Sequence, residues 1–200
     1  KVVEKLPKPI ESSNSQIISQ SDSRNNADAK EFVKIHLALG NPSGATADVS
    51  NYDNYLMVNE EFALSYNRSR STANWVAWRI TKADMSDLPR DDSYRPDDRL
   101  PNGWTRILPG DYSRSGYTRG HLCPSADRDK NAESMASTFL MTNMVPQTYD
   151  LNAGPWADLE GYLRGLAYRG NDVYVIAGVY GEIGKIKRKM TIPANNWKIA

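Results

Sequence analysis

Residues 117–128 read YTRGHLCPSADR, and the rest of the chain reads as a frame built to hold them. If residues 117–122 run extended, the two-residue period of a strand sets Arg119 and His121 side by side on one face, with Gly120 on the other. A base and a phosphate-binding cation then share one surface. A single histidine is a weak sign alone, because most histidines are structural or exposed, so the weight falls on its surroundings.

Upstream, residues 62–66 and 75–80 (WVAWRI) read as two strands joined across the polar turn 67–74, a hairpin. Alternation in the second strand puts Val76, Trp78 and Ile80 on one face and Trp75, Ala77 and Arg79 on the other. Arg79 then faces outward, toward solvent or a phosphate. Residues 83–115, which include DLPRDDSYRPDDRLPNG, show hardly any hydrophobic period. A connection of that length is usually functional or disordered, and its mixed charges favour a solvated surface loop. Residues 32–39 alternate loosely like a strand, carry His36 as a structural histidine, and end in the turn signal GNPSG at 40–44. Residues 1–30, rich in serine, asparagine and charge, bury too little apolar surface to offset their ordering entropy and read as a flexible linker or arm.

Downstream, residues 131–138 have helical character and 139–144 (FLMTNM) read as a short buried strand. Trp156, Leu159, Leu163 and Leu166 recur at spacings of three and four, one apolar face of a helix. Glu160 and Arg164 lie beside that stripe. Residues 173–179 (VYVIAGV) form the continuous β-branched run of a strand buried on both faces. The stretch KIKRKMTIPANNWKIA, 185–200, reads as a basic turn between further strands.

A chain of 200 residues suits one domain with a tail, here 1–30 and 31–200. The net charge of +1 neither favours nor excludes a polyanionic partner, so any basic groove must come from local arrangement. Cys123 is the only cysteine, which excludes an internal disulfide and a cysteine-based metal cluster. No apolar run approaches the ~18 residues of a membrane span. The chain starts at Lys1 without an initiator methionine, as a processed or trimmed chain would. Export from a bacterial cell is the expectation that rests on that start and on the arm.

Four polar positions gather around the helix and the strand before it: Asn143, Asn152, Glu160 and Arg164. Amide and carboxylate oxygens suit a hard divalent cation, guanidinium suits phosphate, and the combination points to phosphodiester chemistry. Each also has an ordinary structural reading. Asn143 can cap a turn, Asn152 can cap the helix, and Glu160 with Arg164 can be an i,i+4 surface pair worth ~0.3 kcal/mol.

Taken together, TRGHLCPSADR, FLMTNMVPQ and LNAGPWADLEGYLR, with the earlier hairpin ALSYNRSRSTANWVAWRI, resemble the DNA/RNA non-specific endonucleases of the ββα-metal, or His-Me finger, type. The resemblance runs from about residue 51 onward and implies an α+β fold, an antiparallel sheet core flanked by helices. It implies hydrolysis of DNA and RNA to 5′-phosphate and 3′-hydroxyl ends with Mg²⁺, or Mn²⁺ as a substitute, and a protein inhibitor as a conceivable partner. By the same resemblance His121 is the general base, Asn152 the one side chain directly on the metal, and Glu160 a support of its water shell. Arg119 and Arg164 bind phosphate, and Asn143 fixes the base or the substrate.

Positions 152 and 160 are eight apart, ~12 Å of rise on a straight helix, so Glu160 acts through water. Pro155 means that the helix begins near Gly154 or is kinked there. The family's first motif residue is aspartate, and here it is Thr118, which removes a carboxylate near the ion. The chain also stops at Ala200, where such domains commonly continue. These two departures carry the alternative reading, a catalytically weak nucleic-acid-binding or toxin-partner module on the same fold. A zinc enzyme is disfavoured, since one cysteine and two distant histidines do not furnish a three-ligand site.

Overall fold

Ala63–Asn67 and Thr72–Ile80 pair antiparallel as β2 and β3, with a register shift between Ser65 and Tyr66, and this hairpin is the centre of the molecule. The computed structural model describes residues 23–200. Around the hairpin a five-stranded sheet runs in the order β1-β2-β3-β6-β9, with β1 at Tyr55–Val58, β6 at Val173–Tyr180 and β9 at Asn195–Ile199, every pairing antiparallel. The alternation of β3 sorts its side chains as expected. Val76, Trp78 and Ile80 enter the main core with Leu64, Phe62 and Val175, whereas Trp75 and Ala77 join a smaller cluster on the opposite face.

On the main-core side lie the elements that carry the site. Thr118–His121 forms β4 and pairs antiparallel with Met144–Gln147, β5, bringing His121 opposite Met144 and Arg119 opposite Pro146. Ala132–Thr138 is α2, opened by Asn131, whose side chain accepts from Ser134 N–H. Two helices follow β5, α3 at Tyr149–Ala153 and α4 at Pro155–Tyr168. They are separated at Gly154, where an added Cβ would meet the Asp150 carbonyl oxygen at 2.6 Å. Pro155 sits at the first turn of α4, where its missing N–H costs nothing. Strands β4 and β5 with the helices after them make the expected ββα arrangement within an α+β fold. Beyond α4, Gly184–Ile186 (β7) and Met190–Ile192 (β8) form a short antiparallel hairpin.

Four local expectations are corrected. Ser23–His36 is a helix, α1, rather than a strand-like piece after a linker, and its buried positions Val33 and His36 lie three apart. Of residues 1–30, therefore, 23–30 are helical, and 1–22 lie outside the described residues. Residues 141–143 form a 3-10 turn, so the strand begins at Met144 instead of running through FLMTNM. Residues 83–115 are not a solvated loop. Leu100 and Trp104 enter the main core, Trp104 meets the Tyr55 ring edge-on at 5.2 Å, and buried Asp97 accepts from Thr142 Oγ1 at 2.6 Å. Leu159, placed on the apolar stripe of α4, stays partly exposed while Trp156, Leu163 and Ala167 are buried.

Candidate active site

Because β4 alternates, Arg119 and His121 share a face as the period requires, and both meet Tyr94. The Arg119 guanidinium stands 4.2 Å over the Tyr94 ring, and the His121 ring is 5.9 Å from it. Gly120 faces the other way against Gln147, whose Oε1 would lie 2.1 Å from an added Cβ. Only glycine allows that approach at this position.

The chain leaving His121 is fixed by Asn143. Its Oδ1 accepts from Cys123 N–H, its Nδ2 donates to the carbonyls of Cys123 and Thr138, and its own carbonyl accepts from Leu122 N–H. Both amide protons and the amide oxygen are thus committed to backbone. Of the two roles expected of Asn143, fixing the base's strand has a structural counterpart, and contact with substrate has none. The Trp156 indole N–H completes the support by donating to the His121 carbonyl at 3.1 Å.

The His121 ring is 4.9 Å edge-on from Phe139, and the residue is 8% exposed. Its Nε2 is buried without a hydrogen-bond partner. Burial, followed by the positive charges of Arg90, Lys198 and Arg119, lowers its pKa from 6.5 to about 3. The ring is neutral at physiological pH, and a neutral imidazole nitrogen with no partner can accept a proton.

Tyr94 and Arg119, both neighbours of His121, line a pocket of about 430 Å³ with Tyr112, Ser113, Tyr117, Thr118 and Asn152; His121 itself does not reach its wall. Asn152 therefore opens into the same space as Arg119, from the C-terminal end of α3. Thr118 is occupied by its strand partner, its Oγ1 donating to the Gln147 carbonyl at 3.0 Å.

Glu160 and Arg164 do not pair with each other. The Glu160 carboxylate accepts from Lys198 Nζ at 2.6 Å, and Arg164 meets Asp127 at 3.1 Å. The Lys198 side chain is 1% exposed, its ammonium lying 4.3 Å from the Trp156 ring centre and 5.4 Å from that of Trp78. Asp127 also accepts from the Trp78 indole at 2.9 Å. Burial raises the pKa of both carboxyls, and the facing cations oppose the rise. The same tryptophan that braces the His121 carbonyl thus underlies the cation that holds Glu160.

Arg79 is placed elsewhere and is not part of this site. It lies on the opposite face of β3 and pairs with Asp172 at 3.7 Å, as the alternation of the strand dictates. Four contributors were hidden in the sequence: Arg90, Tyr94, Asp127 and Lys198. The first two lie in the stretch read as solvated, where Arg90 covers the Phe139 ring at 5.0 Å and reaches the Tyr94 hydroxyl. For Lys198 a signal existed, a lone lysine between Trp197 and Ile199 in a strand pattern.

Among the described residues, no group of three or more His, Cys, Asp or Glu is placed to hold a metal ion. The oxygen donors that the sequence motif offers are instead the Asn152 amide, on the pocket wall, and the Glu160 carboxylate, held by Lys198. So small a donor set fits a hard cation that keeps most of its water, as Mg²⁺ does.

Residues 40–200 match the family model described as DNA/RNA non-specific endonuclease. A nuclease from Nostoc sp. is 52% identical over 168 residues, covering 84% of this chain and 61% of that protein. A nuclease from Syncephalastrum racemosum is 38% identical over 160 residues, covering 78% and 47%. The mitochondrial nuclease EXOG of Homo sapiens is 36% identical over 118 residues, covering 58% and 32%. The chain therefore spans less than two thirds of the length of these curated relatives. In fold it is similar to EndoG as solved in complex with EndoGI, with a TM-score of 0.67 and 22% identity, covering 90% of this chain and 74% of that one. His121, Arg119 and Asn152 lie within the matched residues, and the chain belongs to the DNA/RNA non-specific endonuclease family.

Proposed function

We propose that the protein is a metal-dependent, sequence-non-specific endonuclease that hydrolyses DNA and RNA to 5′-phosphate and 3′-hydroxyl ends. The observation that carries this reading is the unpartnered, neutral Nε2 of His121 next to Tyr94 and Arg119, which line a pocket together with Asn152. His121 accepts the proton of the attacking water at Nε2. Arg119 binds the phosphate and offsets its charge, and Arg164, steadied by Asp127, adds a second guanidinium. Asn152 would hold Mg²⁺ through its amide oxygen, and Glu160, held by Lys198, would accept from the water around it. When bound, such an ion stabilises negative charge on the phosphoryl group and on the departing 3′ oxygen. Tolerance of sequence follows from contacts made to phosphate instead of base edges.

Digestion of supercoiled plasmid and of RNA with Mg²⁺, Mn²⁺ or EDTA tests the proposal. Cleavage of both polymers with either metal and none with EDTA is expected. Salt-sensitive binding without cleavage under any metal would overturn it in favour of a binding module, a reading that the capture of Thr118 by Gln147 supports. EndoG was solved with EndoGI, and inhibition by a protein is accordingly part of the proposal for this chain. No helix among the described residues is long and apolar enough to cross a membrane.

A further inference from the structure

The turn between β7 and β8 carries Lys187, Arg188 and Lys189, closed by Lys189 N–H donating to the Ile186 carbonyl at 2.9 Å. Lys187 and Arg188, the two central residues, have φ of 48° and 58°. Turns with two left-handed central residues ordinarily use Asn-Gly, because a branched path at Cβ is disfavoured there. Lys-Arg is an uncommon occupant of such a turn. A third basic residue, Arg114, is also left-handed, at φ 60°, and stands in the segment that includes pocket-lining Tyr112 and Ser113.

The two segments are tied together. Lys187 Nζ donates to the Gly110 carbonyl at 2.8 Å, and Asp111 pairs with Lys187 at 3.5 Å and Lys189 at 3.2 Å. The apolar side of the hairpin, Ile186, Met190 and Ile192, packs with Tyr112 and against Tyr94 and Tyr117, the tyrosines of the pocket. Anchorage accounts for Lys187 and Lys189. Lys185, Arg188 and Arg114 remain, all exposed and in no ion pair among the described residues. The nearby carboxylates are Asp111, already engaged, and Glu182, which accepts from Thr191. Surplus positive charge thus sits on a strained, braced rim beside the pocket, and strain held in place by surrounding contacts tends to mark functional positions.

We propose that Arg114, Lys185 and Arg188 form a second phosphate-contact surface, which grips the polynucleotide backbone outside the reacting phosphodiester. This rests on the nuclease reading above. The surface sets the affinity for long substrates and leaves the chemical step alone.

The test is the triple variant Arg114→Gly, Lys185→Ser, Arg188→Gly. Glycine relaxes the left-handed backbone at 114 and 188, so loss of binding cannot be ascribed to a damaged turn. On a duplex of several hundred base pairs KM is expected to rise about tenfold or more at ordinary ionic strength, with kcat and the cleavage of a dinucleotide unchanged. In the metal-free His121→Ala protein, adding the three substitutions is expected to flatten the plot of log affinity against log salt by ~0.9 per lost contact. An unchanged KM and an unchanged salt slope would overturn the proposal. If no phosphodiester is cleaved at all, the nuclease reading falls, while the salt slope still decides whether this surface binds a polyanion.

Discussion

His36 and His121 are both buried and both titrate far below an ordinary histidine, yet they lie in two different kinds of surroundings. His36, at the end of α1, has Nε2 anchored 2.8 Å from the Glu60 carbonyl. Its pKa falls to about 4 through burial and Arg128, against opposing contributions from the Glu60 contact and Asp84. Around His121 the charges of Arg90, Lys198 and Arg119 add to burial in lowering the pKa, Nε2 is unpartnered, and the neighbouring Tyr94 and Arg119 line a pocket. A depressed histidine pKa therefore does not identify a base, and neither does a buried nitrogen without a partner, since His36 Nδ1 is another. What sets His121 apart is its neighbours, Arg119 and Tyr94, which line a pocket.

The sharpest way to break this contrast is to exchange the rings' fates. His121→Ala is expected to lower the cleavage rate by roughly 10²- to 10⁴-fold, the usual cost of losing a general base, with the fold retained by circular dichroism. His36→Gln is expected to leave turnover within about twofold and to lower the melting temperature, because the anchored ring is packing and not chemistry. Equal losses of activity in the two variants would erase the distinction.

Next in size is Lys198→Met, which keeps the stem over Trp78 and Trp156 and removes the charge. Breaking a buried pair leaves an uncompensated carboxylate at Glu160, and a loss of about 3 kcal/mol in denaturant unfolding is expected. Adding Glu160→Gln should restore most of that stability and none of the activity. Recovery of activity in the double variant would reduce Glu160 to a structural residue.

The smallest effect is on stability against pH. Both histidines have folded pKa values, about 4 and about 3, below an unfolded value near 6.5. Between those values the unfolded chain binds more protons, so their contribution is complete above ~6.5 and is lost as pH falls. Asp127 and Glu160, raised by burial, act in the opposite sense, their contribution being lost as pH rises through the folded values. Melting followed from pH 7 to pH 5 should show a falling midpoint, and His36→Gln should remove about half of the histidine contribution. An identical slope in wild type and variant would contradict it.

Much of the architecture was legible because alternation is a local property. The faces of β3, the Arg119–His121 pair and the buried run of β6 all follow from a period of two. Helix α1 was misread because one of its buried positions is His36, a polar residue that breaks the apolar count, while FVKIHL alternates superficially. The segment 83–115 was illegible for a different reason. Its contacts are made by isolated residues such as Tyr94, Asp97 and Trp104 to partners distant in sequence, and no period records them. The partners of Glu160 and Arg164 were hidden likewise. Lys198 and Asp127 lie 38 and 37 residues from them, whereas the sequence suggested the neighbour four positions away.

The ion pair between Glu160 and Lys198 has a consequence for the order in which the molecule is made. Strands β4 and β5 and helix α4 leave the ribosome before β9, so a nascent chain carries His121, Asn152 and Glu160 before it has Lys198. On the proposed activity, chains stalled after β8, which hold β6 but not β9, should be inert toward RNA supplied in trans, and released chains that include β9 should cut it. Synthesis would then finish the centre only after the message encoding its earlier parts has been read, which spares the template from its own product.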